Sequence, residues 1–210
     1  MRSFAVIPGA GVSRRMGTSK LLLPWGEITV IEHLLRQWHE SCVDHIVLVT
    51  RPQTLAGLER SRWSAFERLQ VVTPKPPPEE MKASVSRALD FICDQWVPQT
   101  EDIWLLAPAD LVTLTSSMIN SVVEGFRGSG SAKELAIPRF TDKRGHPVLF
   151  RWKLASEVAS LADHENLRSL VDKTSSRLEI SMPGQAPRDL DTWADYESLR
   201  PPRTPEIAKP

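Results

Sequence analysis

The sequence predicts an α/β domain of three layers, with helices on both faces of a largely parallel sheet. Short apolar runs alternate along the chain with longer segments of helical period, as expected of this fold class. The run 102–107 (DIWLLA) is almost continuously apolar, which is typical of a strand buried on both faces. Two short runs around the turn at 143–145 predict a small antiparallel part. A chain of 210 residues is long enough for one such domain.

The first half of the chain is predicted to alternate strands and helices. Strands are expected at residues 3–7, 45–50, 69–73 and 102–107, and helices at residues 52–69 and 81–96. A further helix should begin near Thr29, because Thr29 and Glu32 have the spacing of a capping box. Three consecutive prolines in the segment 75–80 (KPPPEE) predict a loop, since proline cannot donate a backbone hydrogen bond.

The second half shows the same alternation. Helices are expected at residues 115–126, 153–161, 165–173 and 192–199, and strands at 135–138, 147–150 and 178–181. Residues 128–131 form a link, and Thr192 and Asp195 again have capping-box spacing. We therefore interpret residues 1–199 as one domain. Residues 200–210 contain four prolines and little to bury, so we expect this tail to be disordered or loosely held.

The amino-acid composition argues against some classes of function. Lys and Arg total 26, as do Asp and Glu, so the formal net charge is zero and no general nucleic-acid surface is expected. No segment approaches the roughly 18 apolar residues of a membrane span, and the N-terminus lacks the apolar core of a signal peptide. We expect a soluble, cytoplasmic protein. Cys42 and Cys93 lie in apolar stretches of helical character, and we expect both to be buried, reduced thiols.

The loop after the first strand, Pro8–Lys20, concentrates glycine and positive charge. Gly9 and Gly11 allow tight bends and a close approach of the backbone to a ligand. Arg14, Arg15 and Lys20 place three cations within seven residues, with no acid among them. Backbone amides in such a turn can bind anions, and ligands of α/β folds bind beyond the carboxyl ends of strands. This loop is therefore the predicted site of a polyphosphate.

Three other interpretations of the loop compete with this one. A P-loop requires G-x-x-x-x-G-K-[ST], but Gly11 and Gly17 are too far apart and Leu follows Lys20. A dinucleotide-binding loop requires G-x-G-x-x-G, but Arg14 stands at the third glycine, and no acid ends the second strand. The third interpretation is a surface turn with incidental charge.

The segment Ala10–Gly26 (AGVSRRMGTSKLLLPWG) resembles the signature A-G-x-S-x-R-M-G-x-x-K-x-L-L-P of MobA-like NTP transferases, a family that includes molybdenum-cofactor cytidylyltransferases. The resemblance implies a Rossmann-like fold of the nucleotide-diphospho-sugar transferase type. It also implies that the loop wraps the triphosphate, with Arg15 and Lys20 on phosphates. The sequence departs from the family at Pro8 and Gly9, where Leu-Ala-Ala-Gly is usual, near the nucleobase. The implied nucleotide-binding residues are Gly9, Ala10, Gly11, Ser13, Arg14, Arg15, Met16, Gly17, Lys20, Met81 and Ser84.

Met81 and Ser84 belong to a second matching segment, 73–89, which resembles N-P-x-x-x-x-G-M-x-x-S-x-x-x-G-L. Glu80 stands there in place of the family's glycine. On its own, this segment reads as a proline-rich loop that caps an ordinary helix. In the family the loop borders the nucleotide.

Two carboxylates are candidate metal ligands. Asp110 follows the fourth strand, and a hard cation such as Mg²⁺ prefers oxygen ligands at such a position. The family has its metal Asp here in G-D-x-P, whereas this chain has Ala109 and Val112 at the Gly and Pro positions. Residues 189–196 resemble D-[IV]-D-T-P-E-D-Y, which implies Asp191 as a second ligand. The alternative for Asp110 is that it caps a turn.

Two further residues are candidates for binding the acceptor. Residues 143–147 resemble the family's G-x-x-G-H-P element, so an exposed His146 would contact phosphate or acceptor; it reads equally as a turn residue. Residues 164–168 match D-x-G-x-R, with Asn166 at the glycine position, where it would tolerate a positive φ. Arg168 is then a candidate for the acceptor phosphate, or an arginine on a helix surface.

Together, these resemblances imply an Mg²⁺-dependent nucleotidyltransferase. Arg15, Lys20 and Asp110 would carry catalysis, the donor would be CTP or GTP, and pyrophosphate would be released. The favoured acceptor is molybdopterin, and a molybdoenzyme is an expected partner. Two alternatives stay open: transfer to a sugar phosphate or another small acceptor, and a nucleotide- or cofactor-binding chaperone with weak catalysis.

Overall fold

A computed structural model describes residues 1–13, 15–57, 66–130 and 132–202 of the chain. Nine strands are found in this part of the chain. The strands are β1 (Ser3–Gly9), β2 (Pro24–Trp25), β3 (Ile28–Thr29), β4 (His45–Thr50), β5 (Leu69–Val72), β6 (Ile103–Leu106), β7 (Leu135–Arg139), β8 (Val148–Arg151) and β9 (Arg177–Ser181). Seven of them form one sheet, and β2 pairs with β3 in a small antiparallel ladder.

The large sheet has the order β5-β4-β1-β6-β8-β7-β9. Its β1 strand lies inside the sheet and pairs in parallel with β4 and β6. The β8 strand runs antiparallel to both of its neighbours, β6 and β7, while β9 is parallel to β7. The predicted three-layer α/β fold, with a mostly parallel sheet and a small antiparallel part, is confirmed. The carboxyl ends of β1, β4, β5 and β6 consequently lie along one edge.

Helices cover both faces of this sheet. The helices are α1 (Val30–His39), α2 (Pro52–Ala56), α3 (Met81–Trp96), α4 (Ser116–Arg127), α5 (Ala155–Ala159), α6 (Leu167–Lys173) and α7 (Trp193–Leu199). Buried residues of α1, α4 and α7 pack in one core cluster, and those of α3, α5 and α6 pack in another. Short 3₁₀ turns occupy Lys20–Leu22 and Trp152–Leu154.

Several elements form where their sequence patterns predict. Helix α1 begins with the expected capping box, in which the Thr29 side chain accepts from the Glu32 amide and the Glu32 side chain accepts from the Thr29 amide. Helix α3 has the predicted bounds, and every residue of β6 is buried. These segments carry strong local signals, namely a cap, a helical apolar stripe or an uninterrupted apolar run.

Several boundaries differ from prediction, and two of the differences have a clear physical reason. Strand β1 continues through Pro8 and Gly9, which pair with Val49 and Thr50, because the parallel neighbour β4 extends that far. The helix predicted over 52–69 is confirmed at its start, Pro52, and wrong at its C-terminal end, because Leu69 lies in a strand. Helix α2 stops at Ala56, before the poor helix former Gly57, and the β-rich run from Leu69 starts β5. Residues 58–65 of that prediction lie outside the described residues.

The cysteine prediction is also wrong in part. Cys93 lies on α3 but is exposed, because it follows Ile92, the last residue of the helix's buried face. Cys42 is half-buried and lies beyond the end of α1 rather than in a helix. Both thiols are free. No helix among the described residues is long and apolar enough to cross a membrane. Of the predicted tail, residues 203–210 fall outside the described part.

Candidate functional site

The end of β1 packs closely against the segment that follows β6. A Cβ atom on Gly9 would lie 3.1 Å from the Ala109 Cβ and 3.3 Å from the Val49 carbonyl oxygen. The Ala109 amide also donates to the Pro8 carbonyl, at 3.1 Å. Gly9 therefore serves close packing of strands more than a bend in the loop. This packing brings Asp110, the residue after Ala109, to the predicted phosphate loop.

Ser13 organises the loop between β1 and the turn at Lys20. The amides of Met16 and Gly17 both donate to the Ser13 carbonyl at 3.1 Å, and the Lys20 amide donates to the Ser13 hydroxyl at 3.2 Å. Gly17 has a φ of +68°, a conformation that favours glycine. The bend that needs glycine is thus Gly17, not Gly9. Arg14, predicted to bind nucleotide, lies outside the described residues.

An arginine that the sequence did not single out anchors this loop to β4. The Arg51 Nε donates to the Ala10 carbonyl at 2.6 Å. The side chain reaches this carbonyl because Thr50, the residue before it, pairs with Gly9 in the sheet. The sequence does place a cation directly after β4. Its contact with the glycine-rich loop could not be predicted, because that requires knowing that β4 lies beside β1.

The charged residues predicted to act together do meet. The Lys20 Nζ lies 2.6 Å from the Asp110 Oδ2 and 3.2 Å from the Asp191 Oδ1. The Arg15 Nη1 lies 3.2 Å from the Asp191 Oδ2, at an exposed position. The Lys20 side chain is only 17% exposed. Burial acts to lower its pKa, but the carboxylates of Asp110 and Asp191 prevail and raise it.

The backbone explains how two distant carboxylates come together. The Leu190 amide donates to the Asp110 carbonyl at 3.0 Å, and Leu111 forms an antiparallel bridge with Asp189. This pairing lays the segment before α7 alongside the segment after β6. Asp191 is then fixed by the start of α7, where Thr192 and Asp195 form the predicted capping box.

Negative charge is concentrated around Lys20. Desolvation first, and then the charges of Asp110 and Asp191, raise the pKa of Asp189. The Asp110 Oδ1 is buried and has no hydrogen-bond partner, an arrangement that is costly unless a cation or donor completes it. Within the described part of the chain, no group of three or more His, Cys, Asp or Glu side chains could hold a metal. Mg²⁺ commonly binds one or two carboxylates together with substrate phosphates, so this pair fits such an ion.

These groups line a cavity of about 390 Å³ at the sheet edge. It is bounded by the loop after β1, the start of α3, and the segments that hold Asp110 and Asp191. The predicted nucleotide-binding residues that line it are Gly9, Ala10, Gly11, Ser13, Arg15, Met16, Lys20, Met81 and Ser84. Gly17 lies outside this lining. The Ser84 hydroxyl donates to the carbonyl of Glu80, the residue before α3, at 3.3 Å.

A second cavity, of about 960 Å³, adjoins the first, and Glu80 and Met81 line both. Its apolar lining comes from the sheet and from α6, and its polar lining includes both predicted acceptor residues, His146 and Arg168. The apolar lining residues are Leu106, Ile137, Val148, Phe150, Leu167 and Val171. Both cationic and carboxylate side chains also line this cavity.

The ring of His146 is held in one orientation. Its Nδ1 lies 3.1 Å from the Leu106 carbonyl oxygen, which can only accept, so Nδ1 carries the hydrogen. The side chain is partly buried, not exposed as predicted, because it tucks against the end of β6. Burial lowers the pKa of His146, so the ring is neutral at pH 7. Its Nε2 then offers a lone pair rather than a positive charge.

Arg168 lies at the start of α6, on the helix surface. Its side chain is 88% exposed, and its Nε lies 3.9 Å from the Asp172 carboxylate. The prediction for Asn166 is wrong. Its φ is −118°, and its side chain caps α6 by accepting from the amides of Arg168 and Ser169. Asparagine suits this position as a cap rather than through a positive φ.

The profile of the MobA-like NTP transferase domain matches residues 5–178. No curated protein sequence matches the chain closely. Among solved structures, Rv0371c from Mycobacterium tuberculosis is similar, with a TM-score of 0.75, 24% identity, and coverage of 95% of this chain and 97% of that one. A complex of the same protein with manganese has a TM-score of 0.74, 22% identity, and coverage of 95% and 98%. A nucleotidyl transferase from Methanothermobacter has a TM-score of 0.72, 21% identity, and coverage of 95% and 96%. These likenesses describe a shared fold.

Proposed function

The chain belongs to the MobA-like NTP transferase family, and from this premise we propose that it transfers a nucleoside monophosphate from CTP or GTP to phosphorylated molybdopterin. A molybdoenzyme would receive the dinucleotide product. The observation that carries the proposal is the pairing of two adjoining cavities. The smaller holds the cluster of Lys20, Asp110 and Asp191, and the larger has an apolar lining.

The charge of the smaller cavity supports its role as the triphosphate site. Lys20 and Arg15 supply cations beside a loop whose backbone amides can bind phosphate oxygens. Asp110 and Asp191 would hold Mg²⁺, which would supply positive charge to neutralise the phosphates. The manganese complex of one structural neighbour supports a divalent cation in this fold.

The lining of the larger cavity supports a ring-containing acceptor. Four residues from strands β6, β7 and β8 and two from α6 give it an apolar surface against which a flat ring system can be buried. Arg168 and Arg144, the latter ion-paired with Glu179, also line this cavity and would supply charge for a phosphate. A compact sugar phosphate would leave much of this apolar surface in contact with water.

The reaction requires no covalent intermediate on the protein. A phosphate acceptor is largely ionised at pH 7, since its second pKa is about 6, and needs no general base. One of its oxygens attacks the α-phosphorus in line, a new P–O bond forms, and the bond to the β-phosphate breaks. Pyrophosphate leaves with the bonding electron pair. Lys20, Arg15 and the loop amides hold the phosphates in position and stabilise the developing charge.

Release of pyrophosphate from each NTP tests this proposal. The assay contains Mg²⁺ and either molybdopterin or a panel of sugar phosphates. We expect turnover with CTP or GTP and molybdopterin. Turnover with a sugar phosphate alone would reassign the acceptor. Tight binding of nucleotide without any pyrophosphate release would favour the binding chaperone.

A matched pair of variants tests the assigned role of Asp110. Asp110→Asn should lower Mg²⁺-dependent turnover by about 100-fold or more, because it removes a charge that would hold the ion. Asp94→Asn removes an exposed carboxylate on α3, about 20 Å along the helix from Met81, and should leave turnover unchanged. Circular dichroism confirms that both variants are folded. Unchanged turnover in Asp110→Asn would refute this role.

A further inference from the structure

The ammonium group of Lys20 occupies the place where a cation would join the two carboxylates. Its Nζ lies 2.6 Å from one oxygen of Asp110 and 3.2 Å from one oxygen of Asp191. With 17% of its side chain exposed, Lys20 is poorly screened by water. This one ammonium group offsets half of the charge of the carboxylate pair, and the Arg15 guanidinium, 3.2 Å from the other oxygen of Asp191, offsets the rest.

This arrangement sets Lys20 in competition with a divalent cation. An ion shared by Asp110 and Asp191 would need the oxygens that Lys20 contacts, and it would meet the positive charge of the ammonium at short range. Of the two oxygens that Lys20 does not contact, the Oδ2 of Asp191 contacts Arg15, and the buried Oδ1 of Asp110 is the one without a hydrogen-bond partner. One buried carboxylate oxygen beside an ammonium group is a weak site for Mg²⁺ or Mn²⁺.

A triphosphate changes this balance, because it offers Lys20 another anionic partner. The loop residues Ser13 and Arg15 line the same cavity as Lys20, so phosphates bound there lie within reach of its flexible side chain. Once Lys20 turns to phosphate, both carboxylates are free to bind metal, and the phosphates add further oxygen ligands.

We propose that Lys20 acts as a resident counter-cation that excludes divalent metal from Asp110 and Asp191 until a nucleoside triphosphate draws it away. This inference rests on the proposed nucleotidyltransferase function. Metal and nucleotide then enter together. The carboxylates likewise restrain Lys20 from binding nucleotide when no metal is present, since coupling between two ligands is reciprocal.

The first test measures Mn²⁺ binding to the nucleotide-free protein by the electron paramagnetic resonance signal of free Mn²⁺. Lys20→Met should tighten Mn²⁺ binding by about tenfold or more relative to the wild type. Lys20→Arg, which keeps the charge, should bind as weakly as the wild type. Adding Asp110→Asn to Lys20→Met should remove the gain, which assigns the bound ion to this site.

Arg15→Met is the matched control, because Arg15 also contacts Asp191 but from an exposed position. It should change Mn²⁺ binding by less than about threefold. An equal gain in Mn²⁺ affinity in Arg15→Met and Lys20→Met would show that the loss of any nearby positive charge has this effect. That result would overturn the proposal. The proposal would also be overturned if Lys20→Met bound Mn²⁺ no more tightly than the wild type.

The second test leaves Lys20 intact and measures binding of CTP and GTP in EDTA by calorimetry. Asp110→Asn should tighten binding of the preferred metal-free nucleotide about tenfold, because it releases Lys20, although the same variant loses turnover. Asp94→Asn should have no effect. Equal affinities of wild type and Asp110→Asn for metal-free nucleotide would contradict the proposal. Failure of every variant to bind either nucleotide, with or without Mg²⁺, would instead refute the proposed function.

Discussion

His146 illustrates how one hydrogen bond defines the chemistry of a residue. Because its Nδ1 donates to the Leu106 carbonyl and its ring is neutral, its Nε2 can only accept a hydrogen bond in the larger cavity. A hydroxyl or N–H of the acceptor is the matching group, and a fully ionised phosphate is not.

Replacing this residue should therefore affect one substrate and not the other. Asn in place of His146 can keep the hydrogen bond to Leu106 but lacks Nε2. We expect His146→Asn to raise the KM for the acceptor about fivefold, as for the loss of one hydrogen bond, while the KM for the nucleotide stays constant. Steady-state pyrophosphate release measures both constants. Exposed His164, changed to Gln, is the control, and an equal rise in both KM values in His146→Asn would contradict this assignment.

Single residues differ in how far their roles can be predicted from sequence. Positions near strand ends and the resemblance to a long family motif predicted that Lys20, Asp110 and Asp191 act together. The structure places their side chains together. Arg51 was missed because its contact depends on which strand lies beside β1. Asn166 was misjudged because asparagine favours both helix caps and positive φ, and composition does not separate the two.

At the scale of elements, helix caps connect stability to the site. Thr29 is the N-cap of α1, and Thr192 is the N-cap of α7. Each forms a capping box with the third residue of its helix. Such caps are predictable because the interaction is local. The end of α2 was placed too late, although Gly57 follows it, because a single glycine does not always end a helix. The α7 cap differs from the α1 cap in one respect: Asp191 directly precedes it.

The two threonines therefore make a matched pair. Thr29→Ala and Thr192→Ala should each cost about 1 kcal/mol of unfolding free energy, seen as a fall in Tm of about 2–4 °C for a chain of this size. We expect only Thr192→Ala to lower turnover as well, because a frayed α7 no longer fixes Asp191 against Lys20. Thermal melts and pyrophosphate release below both melting points measure the two effects. Equal turnover in both variants would show that the cap does not position Asp191.

The whole molecule depends on contacts that no local pattern contains. Alternation of strands and helices predicts a three-layer α/β domain, but it does not predict that β8 lies between β6 and β7. That order results from long-range pairing, and it places His146, which precedes β8, beside the end of β6. Three histidines connect elements in this way: His33 on α1 contacts the Val112 carbonyl, His45 on β4 stacks on Trp96, and His146 contacts Leu106.

Burial of these histidines makes the stability of the fold depend on pH. Desolvation lowers the pKa of His33, His45 and His146 below the value of about 6.5 expected in the unfolded chain. The unfolded chain therefore takes up protons first as the pH falls. The resulting stabilisation is complete above pH 6.5 and is lost progressively below it. We expect the Tm to fall by about 2–4 °C between pH 7 and pH 5.5, in the range above most carboxylate titrations.

One substitution isolates a part of this effect. His45→Phe keeps a ring between Phe4 and Trp96 but removes the titrating group, so the Tm of this variant should fall less between pH 7 and pH 5.5 than that of the wild type. Calorimetric melts at half-unit pH steps measure the slope, and the exposed-site variant His164→Gln is the control. A slope as steep in His45→Phe as in the wild type would mean that other groups destabilise the fold in this range. A Tm that rises as the pH falls would contradict the direction of all three shifts, because protonation would then favour the folded chain.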